Sequence, residues 1–227
     1  MNTLQNIYNL LSPFICEPTT SITDLMLSFF CFYCHNQLKS KARIKEFKGL
    51  WSYFFLCVGV STFFGGINHA VTCLSDQTYH IIAWIGMQLF SCVAVYFAQR
   101  AVFSSEVKNE KRKRILKTFA LIQLISFSII GIMMMSITAV SINSLIGLAQ
   151  LLFILLPKNS ERIAYKTLVC VGFTISFITV YISHNKISIA YWFNYNDIAH
   201  VIIFVSLLLI YKGIIQQCKS KFILKTI

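Results

Sequence analysis

The chain has 227 residues, of which 56% are apolar and only 12% are charged, about half the charged share of an average soluble domain. No soluble fold of this size has enough interior to hide so much apolar surface, which excludes a disordered chain and an ordinary water-soluble enzyme. The net charge of +12 would suit nucleic acid if it were gathered on one soluble face; here it is divided among loops between apolar runs, and no nucleic-acid partner is expected.

Apolar windows fall at 20–38, 50–71, 80–99, 116–137, 139–157, 164–183 and 196–216. Each approaches the roughly 20 residues that a helix needs to cross about 30 Å of hydrocarbon. Backbone groups in lipid must be satisfied within the segment, so helices are predicted, and the absence of strand-type alternation argues against a barrel. The expectation is one domain, 1–227, an all-α seven-transmembrane helix bundle with short loops. The first window is the weakest, because Asp24 and His35 interrupt it. The fourth and fifth are almost continuous, and Ser136, Ser141, Asn143 and Ser144 predict a tight turn near 137–142. The first fifteen residues carry no basic n-region and no small-residue cleavage site, so the first span is expected to direct its own insertion.

Basic residues then set the orientation. Residues 1–19, the second loop at 72–79 and the turn between the fourth and fifth spans carry none. The first loop has Lys39, Lys41, Arg43, Lys45 and Lys48, and the third has Arg100, Lys108, Lys111, Arg112, Lys113, Arg114 and Lys117. The fifth has Lys158, Arg162 and Lys166, and the C-terminal end has Lys212, Lys219, Lys221 and Lys225. With only Lys186 in the sixth loop, 19 of the 20 basic residues fall on one side. The positive-inside rule makes that side cytoplasmic, giving an N-terminus outside and a C-terminus in the cytoplasm. The basic run 111–114 reads as a solvated inner loop near anionic lipid heads. The chain is expected to be a multi-pass integral protein of a plasma or inner membrane, with membrane lipids as neighbours.

Ionisable groups at membrane depth are expensive and need a reason. Of the eight acids, Glu46, Glu106, Glu110 and Glu161 lie in basic inner loops and Asp76 in an outer loop. Three remain: Glu17 before helix 1, Asp24 within it, and Asp197 at the start of helix 7. His69 near the end of helix 2, His80 at the start of helix 3 and His200 in helix 7 fall on the same side. Glu17 and Asp24 are two turns apart, and Thr19, Thr20, Ser21 and Thr23 add hydroxyls nearby. Asp197 and Asn196 both neighbour His200 on a helix face. Ser61, Gly65, Gly66 and His69 form a tract whose small residues admit a close helix. Imidazole nitrogens and carboxylate oxygens suit zinc, which lowers the pKa of a bound water and polarises a carbonyl. A structural polar cluster and a ligand or transport pathway are the alternatives that these residue types leave open.

The segments EPTTSITDLML (17–27), STFFGGINHA (61–70) and FNYNDIAHVI (193–202) resemble the CREST superfamily of seven-span membrane proteins. That group includes the alkaline ceramidases and the progestin and adipoQ receptors, and the likeness is greatest to an uncharacterised branch. Its members carry Ser and His on helix 2, Asp on helix 3 and His at the start of helix 7, around a zinc ion. The resemblance implies His69 and His200 as zinc ligands and Ser61 as support for an oxyanion or a water. The chain departs from the pattern in three ways. Ser61 and His69 are eight apart rather than four, Asn196 replaces the first histidine of the helix 7 pair, and helix 3 has no acid. Asp197, His80 or Asp24 must then supply the third ligand or a catalytic carboxylate, with Glu17 and Asn196 completing the polar cluster.

Two other signals carry less. Cys31-Phe32-Tyr33-Cys34-His35 spells the haem-attachment pattern, but in the inner half of helix 1, where attachment chemistry does not occur. Cys16 and Cys73 fall on the same side, next to helices 1 and 2, and sequence leaves open whether they are bridged. The expected function is a zinc-dependent integral-membrane hydrolase of lipid amides or esters; the alternative is a non-enzymatic receptor or sensor on the same scaffold. A small transporter fits less well, since no internal repeat or midplane charge pathway is visible.

Overall fold

Apolar runs with only nine glycines and three prolines have little to stop a helix once its backbone must bond within itself. The computed structural model describes residues 2–39, 45–74, 77–156 and 163–223. Lys41, Arg43, Asp76, Lys158, Glu161, Arg162 and Lys225 lie outside the described residues, as does the last residue of the fifth predicted window. The elements are α1 (Asn2–Leu11), α2 (Pro18–Lys39), α3 (Lys45–Val71), α4 (Gln77–Glu106), α5 (Glu110–Met134), α6 (Ile137–Leu155), α7 (Ile163–Ser176), α8 (Ile178–His184) and α9 (Tyr195–Ile223). The described residues are thus all-α, with a lone bridge between Ala190 and Phe193.

Among the described residues, six segments are long and apolar enough to cross a membrane: Glu46–Val71, Gln77–Glu106, Glu110–Met134, Thr138–Leu155, Ala164–His184 and Tyr195–Cys218. The protein is a multi-pass membrane protein. The helices outrun the apolar windows. α4 continues to Glu106, and α5 begins at Glu110, where the Asn109 side chain accepts from the Arg112 N–H. Lys, Arg, Glu and Gln are good helix formers, so the helices extend through the charged ends. The predicted turn near 137–142 falls earlier. Met135 takes the left-handed conformation at φ 47°, and the Ser136 hydroxyl caps α6 by accepting from the Thr138 N–H. A single left-handed residue followed by a capping hydroxyl suffices, so Ser141, Asn143 and Ser144 stay inside α6. The sixth window is α7 and α8, which meet at Phe177.

The N-terminal stretch, read only as free of basic residues, folds into α1. Its Tyr8 ring meets Tyr191 edge-on at 5.3 Å, and hydrogen bonding to Tyr191 pushes the Tyr8 phenol up to about 12. Ile7, Leu10 and the following Phe14 stay exposed, the pattern of a helix lying in a membrane interface.

α3 packs between α2 and α4, α9 against α7, α8 and α2, and α4 also meets α5 and α6. Serine hydroxyls donate to glycine carbonyls across two of these contacts: Ser21 to Gly66 and Ser28 to Gly59, each at 2.8 Å, between α2 and α3, and Ser206 to Gly172 at 2.7 Å between α9 and α7. A Cβ on Gly172 would stand 2.8 Å from the Ser206 carbonyl, so the small residue is what lets α7 and α9 approach.

The apolar core gathers around Trp51, whose ring meets Phe47 and Phe54 edge-on, with Phe55, Phe103 and Ile214 buried in the same cluster. Cys31 and Cys34 are buried in this core, and His35 Nδ1 lies 2.8 Å from Ser52 Oγ. At the basic end a nearly buried ion pair, Lys166 Nζ to Glu106 Oε2 at 2.9 Å, ties α4 to α7. At the opposite end Cys16 and Cys73 form a disulfide with Cα atoms 5.6 Å apart. It clamps the entry of α2 to the exit of α3, where the Glu17 N–H also donates to the His69 carbonyl at 3.1 Å.

Candidate functional site

Just inside the disulfide, α2, α3 and α9 bring together Glu17, Asp24, His69, Asp197 and His200. The two-turn spacing of Glu17 and Asp24 places their carboxylates on either side of one imidazole: His69 Nδ1 lies 2.8 Å from Glu17 Oε2, and His69 Nε2 lies 4.0 Å from Asp24 Oδ2. The second imidazole approaches the same carboxylate, with His200 Nε2 3.3 Å from Asp24 Oδ1. The two rings are 6.3 Å apart between centroids. Asp24 is 4% exposed. Its place depends on Gly65, where a Cβ would stand 2.6 Å from Asp24 Oδ2.

Hydrogen-bond roles follow from the partners. The bond from His69 holds the Glu17 carboxyl below the usual carboxylate range, outweighing its partial burial. Ionised Glu17 can only accept, so His69 Nδ1 carries the donated proton and a neutral ring turns its Nε2 lone pair toward Asp24. Thr23 Oγ1 sits 2.8 Å from His200 Nδ1, 3.0 Å from the Thr20 carbonyl and 3.4 Å from Asp197 Oδ1. The carbonyl accepts only, as does the carboxylate when ionised; where the single Thr23 proton goes to one of them, His200 Nδ1–H donates to Thr23. His200 then also presents its Nε2 lone pair to Asp24. With Asp24 ionised and both rings neutral in these tautomers, three acceptor groups converge from three helices with no donor among them.

Asp197 is fully buried but turned away from this convergence. Its Oδ2 accepts from the Asn194 N–H at 2.7 Å, so it caps the start of its own helix and backs Thr23 from behind. Asn196 contributes through its backbone, its N–H donating to Asn194 Oδ1 at 2.7 Å. Ser61 does not join the cluster: its hydroxyl donates to the Met87 carbonyl at 2.8 Å and ties α3 to α4. Nor does His80, whose ring lies 6.1 Å from Trp84 and whose buried Nδ1 has no hydrogen-bond partner among the described residues. Sequence reasoning missed Asn194 as an organiser; a capping-type residue just before a helix is the signal that points to it.

Among the described residues no three His, Cys, Asp or Glu side chains stand close enough together to hold a metal ion as placed. The donor chemistry fits zinc, and so does one of the spacings. Two ligands on a tetrahedral zinc, each at about 2.0–2.1 Å, are about 3.3–3.4 Å apart. Asp24 and His200 meet that separation at 3.3 Å. His69, at 4.0 Å, would have to close by about half an ångström to do so.

Residues 19–219 match the model of a family of unknown function, DUF6962. The chain belongs to that family. No curated protein and no solved structure matches it. The DUF6962 match takes in Asp24, His69, Asp197 and His200 and begins two residues after Glu17.

Proposed function

We propose that this DUF6962 protein is a zinc-dependent hydrolase of lipid amides or esters, on a seven-span scaffold similar to the CREST superfamily. The observation that carries the reading is the pair of imidazole Nε2 atoms facing one buried carboxylate, with each Nδ1 held by a separate partner. That is the arrangement by which outer groups fix the tautomer of metal-binding histidines. His69, His200 and Asp24 would hold the ion. When bound, zinc supplies a water of lowered pKa and polarises a carbonyl. Glu17 orients His69; Thr23, backed by Asp197, orients His200; Gly65 leaves the space into which Asp24 reaches. Burial of the Asp24 carboxylate excludes bulk water from its face of the site.

In this reading α2 is a seventh span, less apolar than the others because Asp24 and its neighbouring hydroxyls belong to the site. The basic end faces the cytoplasm and the disulfide end faces outward, where a bridge between Cys16 and Cys73 persists. The site then lies a short way below the outer membrane surface, within reach of a lipid headgroup linkage.

A second reading, a receptor or sensor without turnover, draws on the 4.0 Å separation of His69 from Asp24. Metal content of the detergent-purified protein, with His200→Ala beside it, separates the two. The hydrolase reading expects about one zinc per chain, lost in the variant, and cleavage of ceramide-like amides or lipid esters that depends on it. A wild-type protein prepared without chelators that holds no metal would overturn it.

A further inference from the structure

At the opposite end of the molecule, α4 and α5 form a groove of about 330 Å³ lined by Tyr96, Arg100, Lys113, Arg114, Lys117 and Leu121. We propose that this groove binds the phosphate of an anionic glycerophospholipid, whose acyl chains run along the exposed apolar face of α5. The proposal is independent of the zinc reading.

The lining holds four cations against a single carboxylate, Glu110. Glu110 engages Lys113 at 2.5 Å and is itself largely exposed, so the groove keeps a net positive charge. Arg100 is fixed rather than free. Its Nη1 donates to the Tyr96 hydroxyl at 2.6 Å, and its guanidinium lies 5.6 Å from the centre of that ring. Its Nε is buried and unpartnered among the described residues, so the guanidinium beside the groove keeps unused donor capacity in a setting where an unmade bond is costly. The first turn of α5 opens onto the groove and adds the positive end of its dipole.

The apolar side selects a lipid over a free phosphate. Leu121 closes the groove and is exposed, as are Ile125 and Ile129 at successive four-residue steps. These three share one stripe of α5 leading from the cations into the membrane-spanning region. Basic pockets between helices, just at the headgroup level, are where phosphate headgroups dock.

Native mass spectrometry of the full-length protein in detergent tests this with three added probes: phosphatidylglycerol, phosphatidylcholine and inorganic phosphate. Wild type is expected to retain one phosphatidylglycerol and to prefer it clearly over phosphatidylcholine. Arg100→Gln with Lys117→Gln should weaken retention about 30-fold, at roughly fivefold per cation. Glu110→Gln should tighten it, an effect that misfolding cannot produce. Equal retention of the two lipids, or a double variant that binds like wild type, would overturn the proposal. Displacement of the lipid by inorganic phosphate at matching concentration would also overturn it, making the groove a site for a soluble anion.

Discussion

Two buried polar groupings divide the bundle between them, and they differ in whether their members complete one another. In the middle of α4, α5 and α6, Gln99 Nε2 donates to Gln123 Oε1 at 2.9 Å and Gln150 Nε2 donates to the same oxygen at 3.2 Å. Gln123 Nε2 in turn donates to Asn143 Oδ1 at 2.8 Å. Amides carry both donors and acceptors, so four of them satisfy nearly every need inside the group, with Asn143 Nδ2 left over. Around Asp24 the opposite holds. The outer nitrogens of both imidazoles are satisfied by Glu17 and Thr23, and the inner ones face the Asp24 carboxyl, which when ionised has no proton to give them. A closed network joins helices; an open one has capacity to spare for a proton or a cation. Polar groups at membrane depth are costly in both cases, and the second arrangement is the one that needs a function to account for it.

The strongest way to break this contrast is Asp24→Asn, which turns the central acceptor into a partial donor. Bound zinc should drop to background and lipid hydrolysis should cease, while the protein still purifies as a folded species by circular dichroism. A variant that keeps its zinc would move the site away from Asp24.

The Lys166–Glu106 pair supplies a purely structural counterpart at the basic end. Glu106→Gln leaves an ammonium buried and should cost about 3–5 kcal/mol, read from thermal unfolding in detergent. Metal content per folded chain should not change. Replacing both members by Met should recover much of the loss.

Glu17→Gln comes next. Removing the group that orients His69 should weaken zinc binding about 10- to 100-fold without emptying the site at saturating metal. The same residue gives a pH signature. Its folded value is depressed by the His69 bond, so the stabilisation is complete above the ordinary value of about 4.3 and is lost as pH falls through the folded value. Glu17 is more than a third exposed, and the melting advantage of wild type over Glu17→Gln should stay below about 1 kcal/mol at neutral pH. That advantage should vanish in acid; one that grows as pH falls would contradict the assignment.

The smallest effect sharpens the comparison from the closed side. Gln123→Leu removes the hub of the amide network and should cost about 0.6–1.7 kcal/mol, with turnover and metal unchanged. A loss of activity matching that of Asp24→Asn would show that the two networks are coupled.

Much of the architecture was legible because lipid forces it. A chain that must bury its backbone bonds and half its side chains in hydrocarbon writes its helices as apolar windows, and α3, α4, α5, α6 and α9 follow them. What was missed lies at the ends. α1 escaped because a short amphipathic helix is not an apolar run, and the α5–α6 turn was placed late because the serines inside α6 resemble turn residues. In the site, the two-turn spacing of Glu17 and Asp24 does place their carboxyls on either side of His69. Spacing along one helix does not give the rotation of its neighbour. Ser61 turns to α4 rather than to the cluster, His80 lies against Trp84, and Asp197 serves Asn194 and Thr23 instead of standing with the imidazoles.

The sequence by itself determined that this is a helical, multi-pass membrane protein with its basic residues gathered in alternate loops and an unexplained set of acids and histidines toward the other end. Those are properties of composition and of period along one chain. Only the tertiary structure decided that Cys16 meets Cys73, that Gly65 makes room for Asp24, and that both imidazoles turn their Nε2 atoms to one carboxylate. These depend on how α2, α3 and α9 are rotated against one another, and that rotation is set by close packing at small residues and cross-helix serine bonds rather than by any single segment.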